Sequence, residues 1–247
     1  MYIETEGIVL RQYKISSGRR MILMFSNKLG KISAGTNISE KNRSKSALIL
    51  RPFTYGKYEL KQVGEAYFIN SGEVIRSHYK IGEDIDKYME ASYVMELTSK
   101  VLPEEASAPD IFNLLLNFLT MIEKRRSKYR TLTIGYIVKL LVATGSIPQL
   151  GSCVICGKRE SLVGFCAEEG GMVCINCISS QNHHKDILIF PSCFDIVNVL
   201  KYLMNNPLNR LEKLALEDNI AAVLKDMLRI WLACHLDIKD LKSEGFI

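Results

Sequence analysis

Cys153-Val154-Ile155-Cys156 is answered, after seventeen residues (157–173), by Cys174-Ile175-Asn176-Cys177. Two C-x-x-C pairs at this separation have the spacing of a structural zinc site. Each pair makes a tight knuckle, so that both thiolates can point at one ion, and the chain between must loop out and return. Its residues suit the hairpin of a zinc ribbon. Leu162-Val163-Gly164-Phe165 reads as the outgoing strand, Glu169-Gly170-Gly171 as the turn and Met172-Val173 as the return. Four thiolates close a tetrahedron around Zn²⁺ and leave no open position, so such a site builds structure and does not activate water. The expectation is one structural Zn²⁺ held by Cys153, Cys156, Cys174 and Cys177.

Other uses of these cysteines fit less well. A disulfide framework suits a secreted chain, and nothing else in the sequence looks secreted. A thioredoxin-like pair needs a βαβ setting, which is missing. Cys166 lies inside the loop but has no partner two residues away, and it reads as a strand residue. His183 and His184 follow the second knuckle and read as solvated loop histidines.

The chain has 247 residues, 47% hydrophobic and 24% charged, which is ordinary for a soluble globular protein with a real core. Its opening, Met1-Tyr2-Ile3-Glu4-Thr5-Glu6, lacks the basic region and apolar run of a signal peptide. Apolar stretches such as Leu114-Leu115-Leu116 are broken well short of a membrane span, so no membrane partner is expected. Seven cysteines, four of them assigned to metal, point to a reducing cytoplasm. The net charge of +5 is unevenly spread: residues 1–80 carry fourteen Lys/Arg against six Asp/Glu, and the remainder is mildly acidic. A basic first third suggests a polyanion as partner. The plainer alternative is a solvated basic face with no partner.

Residues 1–80 read as β structure. Glu6–Arg11, Met21–Phe25, Lys31–Ala34, Phe53–Leu60 and Ala66–Ile69 are short strand patterns, with glycines at the bends and Val74-Ile75 as an extension. Five such strands suit a small closed barrel, with an OB-fold leading. Thr36–Ser46 is a polar loop containing Lys41, Arg43 and Lys45. From Asp84 the period becomes helical. Ile85, Tyr88, Met89, Ser92 and Met95 mark a first apolar stripe, ended near Pro103. Ser107 and Asp110 read as a capping box opening a second helix, with Leu114, Leu115, Phe118, Leu119 and Ile122 facing a core. A third helix covers about 131–144, and Ser192 to Asp195 reads as another capping box before Ile196, Val199, Leu200 and Leu203. A last helix over about 217–237 carries Leu224, Met227, Leu228, Trp231 and Leu232. The expected fold class is α+β and multi-domain: an N-terminal OB-fold β-barrel at 1–80, then an α-helical domain at 81–247 with the four-cysteine zinc ribbon inserted at about 150–180.

Enzyme signatures are missing. Gly30 to Thr36 has the glycine spacing of a P-loop but lacks its lysine and the helix that should follow. There is no G-x-S-x-G, no H-E-x-x-H and no dinucleotide fingerprint. With four histidines in all, acid–base choices are few, and no catalytic residue is assigned.

Several segments resemble the bacterial RecO family of recombination mediators. They are Thr5-Glu6-Gly7-Ile8-Val9-Leu10, Leu29-Gly30-Lys31-Ile32, Arg51-Pro52-Phe53, Ala91-Ser92-Tyr93-Val94-Met95-Glu96-Leu97, and the ribbon from Cys153 to Cys177. The resemblance implies a DNA-binding, cytoplasmic and nucleoid-associated accessory protein of recombination and repair. Such proteins bind single- and double-stranded DNA, anneal complementary strands, and work with RecR to load RecA onto DNA covered by single-stranded-DNA-binding protein (SSB). None of this needs nucleotide hydrolysis by the protein itself.

On that reading the basic barrel contacts phosphates through Arg11, Lys14, Arg19, Arg20, Lys41, Arg43, Lys45 and Arg51. Tyr13, Phe53 and Tyr55 are available for base stacking, although strand aromatics in a small barrel mostly fill its core. Lys124, Arg125, Arg126, Lys128 and Arg130 form a second cluster. Family analogy suggests that it attracts the acidic C-terminal tail of SSB, whereas helix-dipole capping explains it equally well. The alternatives from other classes are a zinc-ribbon protein-interaction adaptor with little or no annealing activity and, lower, a metal-dependent nucleic-acid enzyme.

Overall fold

A computed structural model describes residues 1–17, 19–38, 45–180, 189–191 and 196–246 of the chain. Five strands form the N-terminal barrel: β1 (Tyr2–Lys14), β2 (Arg20–Ser26), β3 (Gly30–Thr36), β4 (Tyr55–Val63) and β5 (Ala66–Arg76). Their order is β1-β2-β3-β5-β4, closed by antiparallel pairing of β1 with β4; β3 and β5 run parallel. This is the OB-fold expected from the strand pattern. Alternate residues point inward, so Ile22 and Met24 from β2, Ile32 and Ala34 from β3, and Tyr58 and Leu60 from β4 share one core. A short helix, α1 (Lys45–Leu48), precedes Ile49 and Leu50, which join that core, and the Tyr58 hydroxyl donates to the Ile49 carbonyl at 2.8 Å.

The register of β1 shifts between Val9 and Arg11, leaving Leu10 as a bulge. At this point the turn before β4 is stitched to β1: Phe53 N–H donates to Val9 O at 3.1 Å, and Val9 N–H donates to Thr54 O at 3.0 Å. Gly30, at the β2–β3 turn, has φ +73, and a Cβ there would stand 2.1 Å from the Ala106 oxygen. Only glycine satisfies both conditions.

The contacts divide the chain into one unit of Met1–Arg125 with Leu241–Ile247, and another of Arg126–Asp240. In the first, helices α2 (Ile85–Val101) and α3 (Pro109–Lys124) follow the barrel. Asp84 caps α2, its carboxylate accepting from the N–H groups of Asp86 and Lys87, both at 3.1 Å. The buried residues of α2 begin at Glu90 and include Ala91, Val94, Met95 and Leu97. The expected stripe therefore starts too early: Ile85 and Tyr88 are 70% and 46% exposed, because the first turn lies outside the packed stretch.

Phe112 of α3 meets Phe25 and Tyr55 edge-on, at 5.3 and 6.1 Å between ring centroids, which packs the helix on the outside of the barrel. The capping box expected at Ser107 does not form. Ala108 is the N-cap residue, and Ser107 Oγ donates instead to Asn27 O at 2.8 Å. Pro109, with φ preset for the first helical position, starts the helix one residue later than the box requires. The C-terminal segment returns to this unit, where the Glu96 carboxylate accepts from Lys242 N–H (3.1 Å), Ser243 N–H (2.9 Å) and Ser243 Oγ–H (2.6 Å).

In the second unit α4 (Tyr129–Ala143) is buried from Thr131 through Val138 and again at Leu140 and Leu141, as befits a helix with apolar residues on every side. Next come β6 (Leu162–Cys166), β7 (Gly171–Cys174), α5 (Ile175–Ser179), β8 (Ile189–Pro191), α6 (Ile196–Asn205) and α7 (Asp218–His235). The ribbon is a three-stranded sheet of order β7-β6-β8, so β8 adds a strand to the expected hairpin. It rests on α7. Phe165 faces Trp231 at 5.9 Å, Trp231 stacks on His235 at 4.2 Å, and His235 Nε2 lies 2.7 Å from Ala167 O. The capping box expected at Ser192 lies outside the described residues, as do His183 and His184. Among the described residues no helix is long and apolar enough to cross a membrane.

Candidate metal centre and nucleic-acid interface

Two backbone knuckles bring Cys153, Cys156, Cys174 and Cys177 together, all four sulfurs lying within 4.8 Å of one another. At the first knuckle, Cys153 N–H donates to Lys158 O at 2.7 Å and Gly157 N–H to Cys153 O at 2.8 Å. Gly157 takes φ +74 to close that turn. The second knuckle leaves β7 at Cys174 and turns directly into α5.

The electrostatics of the four sulfurs suit a cation. Burial pushes the Cys153 thiol up, but N–H groups of Cys174, Cys156 and Ile155 directed at its sulfur outweigh this and bring it down to about 6. The Cys177 N–H, against a smaller opposing effect of burial, lowers Cys174 as well. Cys177 goes the other way, up to about 12, first through its hydrogen bond with Cys156 and then through burial. Four thiolates this close repel one another, and a central cation allows them all to ionise. Cys156 and Cys174 are 3.6 Å apart at Sγ, far beyond a disulfide bond and near the edge of about 3.8 Å that a tetrahedron with metal–sulfur bonds of about 2.3 Å requires. All six described cysteines are free thiols. Cys166 ends β6, its thiol is pushed up to about 11 chiefly by burial, and it stands outside the cluster as a strand residue.

The expected phosphate-contacting cations lie on the barrel, where they are described. Arg11 and Lys14 are exposed on β1, Arg19 is exposed before β2, and Arg20 opens β2. Lys14 and Arg20 are Cα partners in the β1–β2 ladder. Arg20 also donates to the Ile38 carbonyl. The Arg11 guanidinium sits 5.3 Å from the centroid of the Tyr13 ring, and the Tyr13 hydroxyl is 3.2 Å from Ser33 Oγ. Arg51 is exposed in the turn stitched to β1. Lys45 belongs to α1, whereas Lys41 and Arg43 lie outside the described residues.

Two of the three stacking aromatics are committed to packing. Phe53 is buried against Tyr88, with ring centroids 5.7 Å apart, and Tyr55 packs on Phe112 while its hydroxyl donates to Glu6 Oε2 at 2.6 Å. The Glu6 contact and burial together, burial first, raise the Tyr55 phenol to about 12. Of the second basic cluster, Lys124 and Arg125 end α3 in the first unit. Arg126, Lys128 and Arg130 belong to the second, where Lys128 Nζ pairs with Asp218 Oδ2 at 2.8 Å.

Together these features define a protein that joins a basic OB barrel to a helical unit carrying a four-cysteine ribbon. The family model described as Recombination protein O N terminal matches residues 1–78, and that described as Recombination protein O C terminal matches 82–245. The chain belongs to the RecO family of DNA repair proteins. It is 30% identical over 246 residues to a DNA repair protein RecO of Alkaliphilus metalliredigens, covering 98% of this chain and 97% of the relative. Identity is 27% over 252 residues with that of Thermoanaerobacter sp. (99% and 96% covered) and 28% over 246 with that of Caldicellulosiruptor saccharolyticus (99% and 97%).

Proposed function

We propose that this chain is a non-enzymatic recombination mediator that binds single- and double-stranded DNA through residues 1–80 and anneals complementary strands. The observation that carries this reading is the Lys14–Arg20 pair, with exposed Arg19 next to Arg20 in the chain and exposed Arg11 further along β1. Like charges directly opposite in a ladder destabilise it, so their placement makes sense when a polyanion lies across them. Lys and Arg contacts release counterions from the backbone, giving affinity that falls with salt and little sequence preference. Annealing then follows from neutralising the repulsion between two strands and needs no bond cleavage.

The proposed protein partners are RecR and the C-terminal tail of SSB, with RecA loading as the outcome, in the cytoplasm at the nucleoid. Residues 81–247 supply the helical domain. We assign Zn²⁺ to the four cysteines, since an all-thiolate tetrahedral set is its structural signature. When bound, the ion cross-links the two knuckles and leaves no position open for catalysis. The test is annealing of two complementary fluorescent oligonucleotides across a salt series without ATP. Acceleration that fades as salt rises supports the mediator, and no acceleration at low salt by zinc-loaded protein favours the interaction adaptor.

A further inference from the structure

We propose that Tyr88, on the first turn of α2, is a stacking platform for one unpaired base of single-stranded DNA; this rests on the DNA-binding reading above. The buried stretch of α2 begins at Glu90, yet the turn before it displays two large apolar side chains, Ile85 and Tyr88. They stand three residues apart and so share a face. The Tyr88 ring is held from behind: Phe53 meets it edge-on at 5.7 Å and an interplanar angle of 83°. Phe53 is itself fixed by its N–H bond to Val9 O and is held at φ +68, a conformation that a bulky residue rarely adopts. Strain of that kind persists where the surroundings impose it, and here it delivers an aromatic support to an exposed aromatic ring.

The neighbouring charge selects the ligand. Arg51 lies two residues before Phe53 in the same turn, and the Phe53 N–H bond to Val9 O fastens that turn to β1 two residues before Arg11; both arginines are exposed. Asp84 and Asp86, in the turn that bears Tyr88, repel a phosphate placed directly on it. A base face on Tyr88, with its phosphates turned toward Arg51 and Arg11, satisfies both conditions. Cationic tracks with interleaved aromatics are the general means of holding single strands, and every base offers a face for stacking. A duplex keeps its bases stacked inside and cannot use such a platform.

The experiment compares full-length native, Tyr88→Ala and Tyr88→Phe proteins binding an oligo(dT) and a duplex of equal length by fluorescence anisotropy at one salt concentration. Tyr88→Ala is expected to weaken oligo(dT) binding about fivefold to 150-fold, the range that base–aromatic stacking covers, with duplex affinity unchanged and Tyr88→Phe close to native. Equal oligo(dT) affinity for native and Tyr88→Ala, or an equal loss for both DNA forms, overturns the platform while leaving DNA binding in place. Native protein that binds neither DNA overturns both. Tyr88→Trp keeps the packing on Phe53 and adds a reporter. Its fluorescence, after subtraction of the single native Trp231, should be quenched by oligo(dT) and not by duplex. Absence of that quenching contradicts the proposal even if the alanine variant misfolds.

Discussion

Lys14 stands opposite Arg20 across the β1–β2 ladder, two cations in register at the end of the barrel hairpin. Charge placed against stability in this way gives the two properties opposite responses to substitution. Lys14→Glu converts the pair into an opposite-charge pair and should raise the stability of the barrel by about 0.2–1 kcal/mol. The same change should weaken DNA binding. Thermal melting and DNA titration of the one variant test both directions, and a variant losing stability and affinity together would point to a structural role for Lys14.

The four-cysteine cluster should behave as a folding element. Cys174→Ser should lose metal and lower the melting temperature of the helical unit, because metal-binding free energy is folding free energy there. Cys166→Ser should keep a full complement of zinc, as that thiol lies outside the cluster. Elemental analysis beside melting separates the two; full zinc in Cys174→Ser would break the ligand set.

A buried group links stability to pH. His78 Nδ1 and the Arg76 guanidinium both meet Glu123 Oε2, at 3.2 and 2.5 Å, and Lys87 Nζ donates to the Glu123 carbonyl at 3.1 Å. Burial holds His78 below its ordinary value of 6.5, with Glu123 opposing the shift and Arg76 reinforcing it. The unfolded chain therefore takes up a proton near pH 6.5 that the folded chain refuses, so stability is full above that pH and declines as pH falls through it. Glu123 adds a second loss. Burial pushes its carboxyl up, but Arg76 and His78 hold it below 4.5, so its contribution is present above that value and fades at lower pH. His78→Asn, which tolerates the φ of +49 found there, should melt with a flatter profile between pH 7.5 and 5.5. Parallel profiles for native and variant would remove His78 from the explanation.

Sequence pattern reached the framework through local rules. The cysteine spacing specified the four-cysteine cluster, short apolar runs bounded by turn residues specified the strands around Ile22, Met24 and Ile32, and Pro103 marked the end of α2. What escaped depended on partners distant in sequence. Ser107 carries a capping signature, yet its hydroxyl serves Asn27, 80 residues away. Phe53 and Tyr55 read as strand aromatics of open use until Tyr88 and Phe112 claim them. Tyr88 fits a helical stripe by period alone, and only the packing of α2 shows that burial starts at Glu90. β8 is three residues long, too short for a periodic signal, and is defined by its pairing with β6.

Salt dependence of single-strand binding reports whether the cations of the β1–β2 hairpin meet phosphates. Native protein and a Lys14→Ala/Arg19→Ala double variant would be titrated with labelled oligo(dT) at several salt concentrations, and log K plotted against log[salt]. Each lost phosphate contact should reduce the slope by about 0.7, so the double variant should bind more weakly with a slope shallower by about 1.4. An unchanged slope and affinity would show that the hairpin cations do not meet phosphates and would place the DNA elsewhere on the molecule.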